Sequence, residues 1–164
     1  MMIKIRLNQI LFFLIFTAIF ALSFAYISQY FFGHQPCNLC LYQRKPFFII
    51  IAICSLTLAF FKAKKAKKIA IYLSILTLII NAAIAVYHVG VEQKIFKISE
   101  SCVSTIKAEY SSLEELQTAL AQAPVARCDE PTFFFLGFSM AFWNIFFCLG
   151  LAVFTAFLYR LRKN

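Results

Sequence analysis

Four long apolar runs constrain this chain more than any other feature of it. Residues 10–32, 41–61, 69–89 and 133–159 are each of the length, roughly 18 residues or more, that crosses a hydrocarbon core as a helix. Composition agrees, since 62% of the 164 residues are hydrophobic and only 14% are charged, far from the balance of a soluble domain. In lipid every backbone polar group needs a partner within the chain, so such runs become helices. The expected fold is an all-α membrane protein, a four-transmembrane-helix bundle, with residues 1–164 as a single domain. The second run carries Arg44 and Lys45 near its start, leaving Pro46–Phe61 as its clean apolar part. Its first turns therefore belong in the interface, with both charges reaching outward.

The charges sort by side. Lys4 and Arg6 precede the first run; Lys62, Lys64, Lys65, Lys67 and Lys68 fill the connector between the second and third; Arg160, Arg162 and Lys163 follow the fourth. These are ten of the sixteen basic residues, and all seven acids lie on the other side. The positive-inside rule then puts both termini and the lysine connector in the cytoplasm. Basic clusters at span ends meet anionic lipid headgroups, which removes the nucleic-acid reading that a net charge of +9 would invite. Lys4, Arg6 and the small residues Ala21, Ser23 and Ala25 also suit a secretory leader. The apolar run nevertheless continues through Phe31 and Phe32 to the length of a full crossing, so it is read as a span.

Outside the cytoplasm lie two segments, about 33–40 and 90–132. In the longer one, SSLEELQTALAQ (residues 111–122) sets Leu113, Leu116 and Leu120 at helical spacing behind a serine and a glutamate three residues on, a capping-box start. A short amphipathic helix is expected there, lying along the membrane surface or against the bundle. Pro124 and Pro131 bound the irregular stretch that carries Cys128.

Of the six cysteines, Cys54 and Cys148 fall inside apolar runs, where thiols behave as small inert hydrophobes. Cys37, Cys40, Cys102 and Cys128 face a compartment in which disulfides persist, and four thiols allow three pairings. A Cys102–Cys128 bridge would close a loop of about 26 residues and act as a staple. A bridge within CNLC, residues 37–40, closes too small a loop to hold much together, which suits a pair that cycles between dithiol and disulfide. Haem attachment needs a histidine after the second cysteine, and Leu41 stands there. A zinc site needs four ligands, and His34, Cys37 and Cys40 offer three, so no metal is assigned.

If the chain is helical from Cys40, Arg44 lies one turn on along the same face, where its charge and the positive helix end both favour thiolate. Pro46 leaves two possibilities: a helix that starts near Lys45, with the cysteines in a loop, or a kinked one that starts earlier. A redox pair needs an electron acceptor. The third run ends on IAVYHVGVE, bringing His88 to about the depth of Arg44, and a lipid-soluble quinone could accept hydrogen bonds from both. In FLGFSMAFWN, Met140 falls about 10 Å below the start of the fourth run, placed with Trp143 to pack on such a ring.

Taken together, four spans, CNLCLYQR in the first outer connector, YHVGVE closing the third span, two cysteines in a long second outer segment and FLGFSMAFWN opening the fourth resemble the DsbB family of disulfide bond formation proteins. That family's relay is the general example of how the bacterial periplasm is kept oxidising. The resemblance implies a multi-pass protein of the bacterial inner membrane, a protein-disulfide:quinone oxidoreductase. It would re-oxidise a periplasmic, DsbA-like thioredoxin-fold partner and pass the electrons to ubiquinone or menaquinone. It further implies that Cys37 and Cys40 are the quinone-linked pair, that Arg44, His88 and Met140 contact the quinone, and that Cys102 and Cys128 face the partner. Cys102 would be the point of attack by the partner, and Cys128 would exchange with Cys37. Two rivals stand beside this: a non-enzymatic four-span protein with two structural disulfides, and a quinone-coupled thiol enzyme of the vitamin K epoxide reductase kind. CxxC at the start of span two argues against the second.

Overall fold

A computed structural model describes residues 6–96, 128 and 134–163. The expected amphipathic helix at 111–122 and Cys102 lie outside these residues. Within them the chain forms α1 (Leu7–Phe31), α2 (Asn38–Phe60) and α3 (Lys64–Glu92). These are followed by a small hairpin of β1 (Phe134–Phe135) and β2 (Phe138–Ser139), and then by α4 (Met140–Lys163). All four helices are long and apolar enough to cross a membrane, so the protein is the four-helix bundle its runs imply.

Each helix buries a narrow stripe and leaves the rest of its apolar surface outward. On α1 the buried positions are Leu7, Ile10, Leu11, Leu14, Ala18 and Leu22, at spacings of three and four. Phe12, Phe16, Phe20 and Phe24 point the other way. Such outward aromatic faces are what lipid covers. On α3 the stripe includes Ala70, Ser74, Ala82 and Ala85, small residues that let neighbouring backbones approach without a hydrophobic drive from water. It packs against both α2 and α4, α2 packs against α1, and α1 meets α4 only sparingly. Lys67 Nζ donates to Asn8 Oδ1 at 2.9 Å, tying the start of α3 to the start of α1 and gathering the basic ends at one end of the bundle.

Two boundaries differ from the apolar runs. First, α2 begins at Asn38 and runs through Pro46, its ninth residue, which decides between the two starts left open by the sequence. Second, α4 begins at Met140 rather than near 133, because the backbone reverses at Leu136 (φ 52°) and Gly137 (φ 81°). Two successive residues of positive φ make the two-residue turn whose twist suits a hairpin, here pairing Phe134 with Ser139 and Phe135 with Phe138. Ser139 then caps the helix, its Oγ accepting from Phe142 N–H at 3.3 Å. Trp143 Nε1–H donates to the Phe135 carbonyl at 2.9 Å and holds the hairpin to the first turn of α4.

Candidate active site

The connector between α1 and α2 delivers Cys37 as the residue that caps α2. Its backbone is extended (φ −76°, ψ 168°), and its Sγ accepts the Cys40 N–H at 3.3 Å. One helical turn then brings the second sulfur round, and the Cys37 and Cys40 Sγ atoms lie 3.0 Å apart. The dithiol thus sits on the positive end of a 23-residue helix, which favours thiolate.

Cys128, far away in sequence, is buried against Cys37 and Val91, with Leu39 and Cys40 packed around them. Its side-chain hydrogen bond pulls the Cys37 pKa down. The hydrogen bond to Cys40, burial and the charge of Cys40 outweigh it, and Cys37 is pushed up from 9.0 to about 12. The two neighbouring sulfurs titrate as a pair, and the reduced pair keeps a proton on Cys37 near neutral pH.

His88 closes the site from α3. It is buried, with Nε2 3.3 Å from Cys37 Sγ and 3.6 Å from Glu92 Oε1, while Nδ1 is 2.8 Å from Gln43 Nε2. Gln43 Oε1 accepts from Asn144 Nδ2 at 2.7 Å. The polar contacts continue inward, from Cys148 Sγ to Asn144 Oδ1 at 3.4 Å and from Asn81 Nδ2 to Cys148 Sγ at 3.4 Å. Both His88 ring nitrogens are therefore engaged by protein side chains, partners that its sequence position beside Arg44 gave no reason to expect. Gln43, Asn144 and Asn81 were also not singled out from sequence. The signal was present, since an amide inside an apolar span is rare and usually tied to another polar group.

Arg44 extends from α2 back toward α1. Its Nη1 donates to Gln29 Oε1 at 2.7 Å and its Nη2 to the Ala25 carbonyl at 3.5 Å, and the guanidinium lies 4.8 Å from the centre of the Tyr26 ring. A cavity of about 620 Å³ opens beside it, lined by Cys37, Cys40, Arg44, His88, Cys128 and Met140 among a majority of apolar side chains. Phe20 and Phe24 of α1 and Phe146 of α4 also line it, and all three are exposed on the lipid-facing surface. The cavity thus opens between α1 and α4, which touch only sparingly. Met140 reaches it from the first residue of α4, not from 10 Å down a longer span, because the hairpin occupies the residues before it. Of the seven residues to which the resemblance gives a role, the structure brings six to one cavity, with Trp143 and His34 also in its lining, and leaves Cys102 outside the described residues.

Cys37, Cys40 and His88 offer three ligand atoms within 4.8 Å of one another, His88 standing where the sequence suggested His34. Two thiolates on one tetrahedral zinc, at about 2.3 Å each, would stand about 3.8 Å apart. The observed 3.0 Å is shorter than that.

The chain is similar over most of its length to known proteins. It is 32% identical over 142 residues to an uncharacterized protein of Rickettsia prowazekii, covering 86% of this chain and 81% of that one. It is 30% identical over 137 residues to a disulfide bond formation protein B of Xylella fastidiosa, covering 80% and 78%. With a protein of the same name in Xanthomonas axonopodis pv. citri it shares 27% over 154 residues, covering 87% and 85%. Residues 7–158 match the family described as disulfide bond formation protein DsbB. Four crossing helices, a dithiol on the end of one of them and this match together make the chain a multi-pass membrane protein with a disulfide oxidoreductase role, and a member of the DsbB family.

Proposed function

We propose that this protein is an inner-membrane thiol oxidase that re-oxidises a periplasmic, DsbA-like thioredoxin-fold partner and passes the electrons through two cysteine pairs to a membrane quinone. The observation that carries this reading is the dithiol at the head of the lipid-side cavity, with the sulfurs 3.0 Å apart and Cys128 packed on Cys37. Permanent staples would not need a cavity at the sulfurs.

The cavity suits a quinone. Its volume of about 620 Å³ falls in the range of small-ligand sites, its walls are mostly apolar, and Arg44 supplies a fixed donor for a carbonyl oxygen. Met140 and Phe147 are among the side chains that would pack on a ring held there. Bound there, a quinone supplies the two-electron, two-proton sink, ubiquinone and menaquinone being equally compatible with these walls.

Everything before that is thiol exchange. The partner's thiolate attacks Cys102 of a Cys102–Cys128 disulfide, and the partner leaves as a disulfide with its two electrons and two protons now on Cys102 and Cys128. Cys128 then attacks Cys37 of the Cys37–Cys40 disulfide, forming a Cys37–Cys128 bond and releasing Cys40 as thiolate on the helix end. Attack of Cys102 on Cys128 restores the outer disulfide and frees Cys37, so the pair of electrons has moved inward. The Arg44 guanidinium, held by Gln29 and by the Ala25 carbonyl, stabilises negative charge developing beside Cys40.

The test is anaerobic. Purified protein with added quinone is mixed with a reduced thioredoxin-fold partner, and quinone absorbance is followed alongside thiol loss. One quinone reduced per partner disulfide formed, abolished by Cys40→Ser, is expected. Folded protein that reduces no quinone with several partners and quinones would return the four outer cysteines to a structural role.

A further inference from the structure

The buried contacts between Asn81 and Cys37 form one line in which each group accepts from one side and donates to the other. Asn81 Nδ2 donates to Cys148 Sγ, leaving the Cys148 S–H for Asn144 Oδ1. That turns the Asn144 amide so that Nδ2 donates to Gln43 Oε1, and this in turn points Gln43 Nε2–H at His88 Nδ1. Amide and imidazole orientations follow from such a network taken whole. An imidazole nitrogen that accepts carries no proton, so in neutral His88 the proton is on Nε2, 3.3 Å from Cys37 Sγ.

We propose that Gln43 and Asn144 are positioning residues for thiol exchange, holding His88 as the Nε2–H tautomer so that the ring donates to the Cys37 sulfur instead of taking a proton from it. The inference rests on the exchange reading above and assigns His88 a role opposite to that of a general base. It acts where Cys102 attacks the Cys37–Cys128 bond. The Cys102–Cys128 bond forms, the Cys37–Cys128 bond breaks, and the electron pair departs on Cys37, whose sulfur meets a waiting N–H. A stabilised leaving thiolate leaves faster. Side-chain amides neither gain nor lose protons here, so the line orients the ring and does not conduct.

The other groups around Cys37 do not supply this donor in the same way. Cys40 Sγ accepts from Cys37, Arg44 is one turn beyond Cys40 along α2 and engaged with Gln29, and Glu92 of α3 is an acceptor 3.6 Å from His88 Nε2. Cys128 is itself the exchanging thiol, and His34 lines the cavity from the connector.

Two readouts test this in the full-length protein without quinone or partner. The chain has two histidines, so ¹⁵N NMR of histidine-labelled protein, with a His34→Ala sample for assignment, reports the His88 tautomer directly. Wild type should show a protonated Nε2 and an unprotonated Nδ1, and Asn144→Leu should move both signals toward averaged values. The second readout is the pH profile of Cys37 alkylation by iodoacetamide, in a Cys40→Ala background. Gln43→Met removes the donor at nearly constant volume and should move the profile up by about one pH unit. Since a less acidic thiolate is intrinsically more nucleophilic, the rate at pH 7 should fall only about fourfold. A wild-type His88 protonated at Nδ1, or Gln43→Met alkylating like its parent, overturns the proposal even where quinone reduction is intact. Loss of quinone reduction with both readouts as expected would instead strike only the quinone reading.

Discussion

Removing Cys40 should make Cys37 more reactive, although an oxidant pair is usually expected to lose reactivity with either member. With Cys40 reduced, Cys37 stands at about 12 against an ordinary 9.0. The Cys128 hydrogen bond, which lowers it, and burial, which raises it, both survive Cys40→Ala; the hydrogen bond and charge of Cys40 do not. If Cys37 returns to its ordinary value, three pH units of thiolate population are regained, about a thousandfold near neutrality. The thiolate of a thiol three units more acidic is a weaker nucleophile, and with a Brønsted slope of about 0.45 the net gain is about fortyfold. Iodoacetamide alkylation of the reduced proteins at pH 7.5, read at Cys37 by peptide mass spectrometry, measures this. The sign can also be checked with pH. The wild-type rate should keep rising through pH 9 and beyond, while that of Cys40→Ala should level off near 9. Alkylation of Cys37 within threefold of wild type in Cys40→Ala would show that Cys40 does not hold the Cys37 proton, and the assignment of charge within the pair would fall.

Three further outcomes are expected. Arg44→His loses a charge-assisted donor and should raise the KM for quinone tenfold to a hundredfold, with the KM for partner unchanged, in steady-state assays varying each in turn. A Cβ on Gly90 would run into the ring carbons of Phe96, whose N–H bonds the Gly90 carbonyl at 3.2 Å where the chain leaves α3 toward Cys102. Gly90→Ala should therefore turn the half-exposed Phe96 ring aside, leave thermal stability within about 1 kcal/mol of its original value, and slow partner oxidation while sparing Cys37 alkylation. Cys54 sits far from the cavity, 3.5 Å from Ser74 Oγ in the apolar core, so Cys54→Ala should leave turnover unchanged and lower stability by about 1 kcal/mol.

The bundle was legible because lipid removes alternatives: once a run of apolar residues is long enough, the helix is the form that satisfies its backbone. That Cys37, Cys40 and Cys128 gather at one place was legible for a related reason, since their positions outside the apolar runs do not depend on packing. Where α4 begins was not legible, because Phe134–Ser139 is as apolar as a span. The departure lies in backbone dihedrals at Leu136 and Gly137, and hydropathy is blind to them. Nor was the start of α2, where proline's helix-breaking tendency stood against a cysteine cap and the cap prevailed. The partners of His88 were hidden for a third reason. Gln43 and Asn144 lie 101 residues apart and meet only because α2 and α4 each turn one polar side chain toward α3.

Asn81 separates what a polar residue in this core does for stability from what it does for chemistry. It is fully buried in α3, its Nδ2 bonds a sulfur at 3.4 Å, and its Oδ1 has no hydrogen-bond partner. A sulfur accepts weakly, and measured hydrogen bonds between membrane helices average about 0.6 kcal/mol, while an unsatisfied carbonyl in such a core costs about 1–3 kcal/mol. Leucine keeps the branch point of asparagine and has no polar atom to satisfy, but it is the larger side chain, and its extra bulk in a packed core offsets that gain. Asn81→Leu should therefore leave the unfolding free energy within about 1 kcal/mol of its original value, measured by denaturation in mixed micelles. If the line of donors beginning at Asn81 sets the direction of the Asn144 amide, the same substitution should broaden or shift the His88 ring-nitrogen signals, although residue 81 touches neither ring nor thiol. A loss of about 3 kcal/mol with unchanged His88 signals would make Asn81 a packing residue and end the line at Asn144. Stability held and tautomer disturbed would mean that this amide is retained in an apolar helix for its effect on a thiol at the other end of the line.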